Sequence, residues 1–118
     1  MSLWDRMRAG AAGGGVRRTA SVADSDHLRA WARARVGVEA FVEPRTMVTE
    51  TTVLLVANDG EWTRRRVGGP SAARKLARSL GIPIYDVQLL GYPKRMRDYD
   101  ARQRILRDRE RRRELGAG

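Results

Sequence analysis

The chain has 118 residues, no cysteine, and a net charge of +10 from 24 Lys and Arg against 14 Asp and Glu. That length allows one small domain, and the missing thiols exclude a disulfide framework, a thiolate metal site and thiol catalysis. The longest apolar run, Val53 to Ala57, is far too short for a membrane-spanning helix, which needs roughly 20 residues.

The positive charge is unevenly spread. Residues 1–37 carry seven basic and three acidic groups, residues 38–93 seven and six, and residues 94–118 ten and five. Two basic flanks therefore enclose a near-neutral centre, and such flanks favour polyanions because neutralised phosphates release condensed counterions. The basic residues are 22 Arg and only Lys75 and Lys94. Guanidinium groups suit phosphate and base contacts, although a GC-rich coding background produces the same ratio.

Residues 1–24 read as a flexible basic segment with a glycine-rich hinge at 10–15 and a short apolar face of Leu3, Trp4 and Met7. No apolar stretch of a secretory signal accompanies its arginines, and the alternative is a transit peptide if the source is eukaryotic. A helix is expected from Ser25 or Asp26 to Gly37, with Leu28, Trp31, Ala32 and Val36 facing inward. Val38 to Val42 forms a short extended piece before Pro44, and Thr46 to Ala57 has the β-branched content of the main strand. Asn58-Asp59-Gly60 is a turn, and Glu61 to Val67 returns as the partner strand. Pro70 and Gly81 bracket a helix over 70–80 that turns Ala73, Leu76, Ala77 and Leu80 inward. Ile84 to Leu90 reads as another strand. From Met96 to Leu115 the pattern is a charged helix anchored by Met96, Tyr99 and Leu106. The expected fold is α+β, a small antiparallel sheet with a β-hairpin and one packed helix, flanked by a basic C-terminal helix. Residues 25–93 form the domain and 94–118 an arginine-rich helical tail.

Three constellations carry binding chemistry. Strand alternation puts Trp62, Arg64 and Arg66 on one face, where an aromatic ring and two guanidinium groups resemble a nucleic-acid platform. The competing reading is a solvated face whose arginine stems shield Trp62. The junction Arg66-Val67-Gly68-Gly69-Pro70-Ser71 offers backbone amides to an anion, or is only a tight strand-to-helix turn. The tail carries Arg95, Arg97, Arg102, Arg104, Arg107 and Arg109, then Arg111, Arg112 and Arg113. Asp100–Arg104 and Asp108–Arg112 have the spacing of helical ion pairs, yet the tail keeps an excess of arginine that suits an RNA groove or an acidic protein. Catalytic patterns are missing: there is one histidine, His27, and neither GxSxG, GxGxxG nor a P-loop, so neither an enzyme nor a cofactor is expected.

The hairpin, the glycines and the helix bearing Arg74 and Lys75 resemble a double-stranded-RNA-binding domain over residues 25–80. That resemblance implies helix, three strands and helix, with Arg74, Lys75 and Arg78 as phosphate contacts. The strand expected at 84–90 has no counterpart there. The runs FVEPRTMVTETTVLLVANDGEWTRRRV and GIPIYDVQLLGYPKRMRDY, within residues 41–99, also resemble an uncharacterised family of short arginine-rich actinobacterial proteins. Some of its members bear the label oxidoreductase, for which these residues offer no physical basis. It implies a bacterial cytoplasmic setting and no catalytic residues. The expected function is a nucleic-acid-binding accessory protein, with RNA or a ribonucleoprotein favoured over duplex DNA. The alternative is an adaptor for an acidic protein partner through the tail, and a small enzyme is the remote third. A core this small gains stability from partners or self-association, so homo-oligomers fit as well.

Overall fold

The computed structural model describes residues 19–116. The hinge at 10–15 and the Leu3, Trp4 and Met7 face lie outside these described residues. The first helix, α1 (Val22–Arg33), starts earlier than the acidic cluster suggests because Ser21 and Asp24 form a capping box. The Ser21 hydroxyl accepts from the Asp24 amide at 3.2 Å, and the Asp24 carboxylate accepts from the Ser21 amide at 3.0 Å. The helix ends at Arg33, so Val36 falls beyond it and is exposed.

Strands β1 (Glu39–Glu43), β2 (Thr52–Val56) and β3 (Trp62–Arg66) form an antiparallel run. Helix α2 (Pro70–Leu80) then carries the chain across to β4 (Ile84–Asp86), which lies parallel to β1. The sheet order is β3-β2-β1-β4, a mostly antiparallel mixed sheet of α+β class. Both α1 and α2, rather than one helix, cover one face. Leu28 and Trp31 from α1 meet Ala73, Leu76 and Ala77 from α2 over Val53 and Leu55.

Three expected elements change. Thr46 to Thr51 is not strand, because the Thr46 hydroxyl accepts from the amides of Val48 and Thr49 and closes a turn. Asp86 ends β4 by accepting from the Gln88 amide at 2.7 Å, and Val87–Leu90 becomes the short helix α3. The last helix, α4 (Lys94–Gly116), uses Met96 on the sheet and Tyr99 against the turn at Gly60, whereas Leu106 is 53% exposed and anchors nothing.

The second sheet face shows why α4 crosses there. Phe41, Leu54 and Val56 are buried against Met96, with Trp62, Tyr85 and Val87 around them. Arg95 locks the crossing, donating to the Ala57 carbonyl at 3.0 Å and to Glu39 at 2.6 Å. Gly60, with φ +94, ends the hairpin turn directly beneath α4. A Cβ at this position would lie 2.0 Å from the Arg95 carbonyl oxygen and 2.9 Å from the Tyr99 Cβ. Gly60→Ala is therefore expected to cost at least about 2 kcal/mol, since it adds backbone strain to a collision with backbone. Urea unfolding checks this, and an unchanged midpoint would show that the turn and α4 do not press together as described.

Candidate nucleic-acid interface

The arginines divide by whether a carboxylate already holds them. On β3, Arg64 donates to Glu43 through Nε at 2.6 Å and Nη2 at 2.9 Å, a bidentate pair. Glu43 also accepts from the Thr52 hydroxyl at 2.7 Å and from the Tyr92 hydroxyl. Burial alone would raise the Glu43 carboxyl, but the bonds from Arg64, Tyr92 and Thr52 outweigh it and hold the group below the ordinary glutamate range. Glu43 thus ties β1, β2 and β3 to the segment leading into α4.

Trp62 is half-buried beside this clamp. Its Nε1 donates to Asp100 of α4 at 2.8 Å, and the Arg64 guanidinium lies 5.2 Å from its ring centroid. Trp62 and Arg64 are thus brought together as expected, but their polar groups serve the fold. Asp100 is taken by Trp62 rather than by Arg104, and Arg111 pairs with Asp108 where Arg112 was expected. On the other side of β3, Arg65 reaches Asp24 at 3.6 Å, and His27 Nε2 lies 2.7 Å from the Thr63 hydroxyl. Burial, then the charges of Arg65 and Arg35, lower the His27 pKa and keep the ring neutral at pH 7.

A different set has no carboxylate partner among the described residues: Arg29, Arg66, Arg74, Lys75 and Arg78. Ser71, Arg74, Lys75 and Arg78 stand at positions i, i+3, i+4 and i+7 of α2, all exposed, opposite the buried Ala73, Leu76 and Ala77. Between the start of α1 and α2 runs a groove of about 370 Å³ whose lining includes Ser25, Arg29, Arg66 and Lys75. Arg66 is steadied by the Thr19 carbonyl at 3.4 Å, and Arg29 by the Ser79 hydroxyl at 2.8 Å. Arg29 was missed by sequence reasoning. Its signal was its place next to the inward Leu28, which turns it toward α2 once the helices share a face.

On α4, Arg102 donates to the Asp59 carbonyl at 2.9 Å and lies 5.8 Å from the Tyr99 ring. Arg113 pairs with Glu110 at 3.1 Å, whereas Arg104, Arg107, Arg109 and Arg112 have no carboxylate partner among the described residues. From Arg104 to Gly116 only Asp108 is even partly covered, so this stretch stands in solvent.

Tyr85, Glu50 and Asp86 have structural tasks. Tyr85 packs on Phe41 at 5.4 Å and donates to Glu39, Glu50 accepts from the Ala20 amide, and Asp86 caps α3. Among the described residues no cluster of three or more His, Cys, Asp and Glu stands ready for a metal, and no helix is long and apolar enough to cross a membrane. In comparison with known proteins, the chain matches no family model, no curated protein and no solved structure.

Glu43→Gln is expected to cost about 2 kcal/mol at neutral pH, because charge-assisted bonds from Arg64 and a hydroxyl pair are weakened together. A carboxyl whose folded pKa is depressed stabilises above its unfolded value, about 4.3, and loses that contribution as pH falls through the folded value. The gap between wild type and Glu43→Gln should therefore begin to narrow below about pH 4.3 and vanish only once the pH has passed below the folded value. Urea midpoints followed from pH 7 downward into acid test this, and a gap that does not narrow at all would show that the charge on Glu43 is not what matters.

Proposed function

We propose that the protein binds nucleic acid, with duplex RNA preferred, through the face formed by α1 and α2. The observation that carries this reading is the uncompensated stripe of Arg74, Lys75 and Arg78, continued by Arg66 and Arg29 across the inter-helix groove. Most other arginines of the folded centre face a carboxylate or a carbonyl, so the charge left for phosphate is concentrated here. Polyanion binding follows from counterion release at such a stripe. Preference for RNA rests on shape. The order helix, three strands, helix, with both helices on one sheet face, is the order that the resemblance to a double-stranded-RNA-binding domain implies. Among the residues suggested by sequence, Arg74, Lys75, Arg78 and Arg66 contact phosphate in this reading. Arg64 and Trp62 hold the fold, and Arg102 braces α4. Arg104, Arg109, Arg111, Arg112 and Arg113 add non-specific affinity from the exposed end of α4. The activity is binding rather than catalysis, in a bacterial cytoplasm.

The test is fluorescence anisotropy with blunt duplexes of about 16 base pairs, the span of one such domain, as RNA and as DNA. Four phosphate contacts predict roughly a hundredfold loss of affinity between 50 and 200 mM salt. Arg74→Ala with Lys75→Ala should weaken RNA binding at least about tenfold and reduce the salt slope by about two. Equal binding by the double variant, or affinity indifferent to salt, would overturn the assignment and turn attention to an acidic protein partner.

A further inference from the structure

The opposite face of the sheet holds a second groove, of about 540 Å³, between β3 and α4. Its lining includes Trp62, Tyr99, Asp100, Gln103, Arg104 and Arg107, together with Glu61, whose carboxylate is held by Arg35. Such a volume suits a small ligand rather than a duplex. One wall is an indole whose orientation is set in advance, by the 2.8 Å bond to Asp100 and by Arg64 over the ring. Ordering it on binding therefore costs little entropy. On the other wall, Arg104 and Arg107 stand one helical turn apart, following Asp100 at i+4 and i+7. Neither has a carboxylate partner among the described residues, since the Asp100 carboxylate already accepts from the indole. Gln103, immediately before Arg104, also lines the groove and brings both a donor and an acceptor. An aromatic ring, a two-sided amide and two guanidinium groups are the parts that take a single unstacked nucleotide: ring for the base, amide for its edge, cations for its phosphates.

The two faces are joined. β3 is an edge strand, and Arg64, Arg65 and Arg66 line a further groove along it of about 390 Å³. We infer that the groove between Trp62 and α4 binds a single-stranded nucleotide segment, the base against Trp62 and the phosphates on Arg104 and Arg107. The inference rests on the nucleic-acid reading above and extends it: a strand leaving a duplex held on the α1–α2 face passes along β3 into this groove. The protein then prefers duplexes with a single-stranded overhang to blunt ones.

The test uses the full chain, with uridine and adenosine tetranucleotides as probes and the indole N–H signal of Trp62 as readout in proton–nitrogen spectra. Trp62→Phe assigns the signal, and the buried Trp31 serves as internal reference. A tetranucleotide should shift the Trp62 signal and leave Trp31 in place, and a blunt RNA duplex should leave both in place. Arg104→Ala with Arg107→Ala alters two exposed side chains, so the fold persists, and should weaken tetranucleotide binding about tenfold while blunt-duplex affinity falls far less. A Trp62 signal that ignores both tetranucleotides, or equal affinity in the double variant, overturns the groove. Tetranucleotide binding at Trp62 without blunt-duplex binding would instead overturn the α1–α2 reading and leave this site standing.

Discussion

β2 is buried on both sides, and the rest of the molecule follows from that constraint. Val53 and Leu55 point to α1 and α2, Leu54 and Val56 point the other way, and all four are fully excluded from solvent. Burying four such side chains contributes about 6–12 kcal/mol, of the same order as the net stability of a whole domain. Two helices satisfy the first face. The second is closed by Phe41, Trp62 and Tyr85 together with the front of α4, where Met96 is the buried contact. Because α4 is 23 residues long and its front turns suffice for the cover, its remainder continues into solvent for about 20 Å. The groove beside Trp62 lies where the helix leaves the sheet.

Charge is arranged by the same geometry. Glu43, Glu39, Glu61 and Asp24 lie where the sheet meets its helices and turns, and they hold Arg64, Arg95, Arg35 and Arg65. A near-neutral centre thus becomes internally paired. The surplus is displaced to the outer face of α2, to the groove between the helices and to the free end of α4. The first of these surfaces is rigid and continuous, which is what separates a recognition surface from a diffuse cationic arm.

Elements with local punctuation were legible in sequence. Pro70 and Gly81 bound α2 at the expected residues, with Gly81 in the left-handed conformation, and Asn58-Asp59-Gly60 makes the expected hairpin turn. The losses came from side chains competing with backbone. Thr46 took two amides that a strand would have used, Asp86 capped a helix instead of extending β4, and Ser21 drew α1 forward. In the site, the basic stripe on α2 could be read from helical spacing alone. The fate of Arg64 could not: Glu43 lies 21 residues away, and the two meet only because β1 and β3 flank β2. The same holds for Trp62 and Asp100, 38 residues apart, whose bond turns a candidate stacking ring into one wall of a groove.

The most direct measurement of where recognition lies is a backbone amide shift map of the full chain titrated with blunt duplex RNA at moderate salt. If the uncompensated charge on the two helices is the recognition surface, perturbations fall on the first half of α1 and on residues 71–78, and spare β1 and β4. Perturbations confined to the exposed end of α4, with α2 silent, would contradict it and reduce the protein to a folded support for a basic arm.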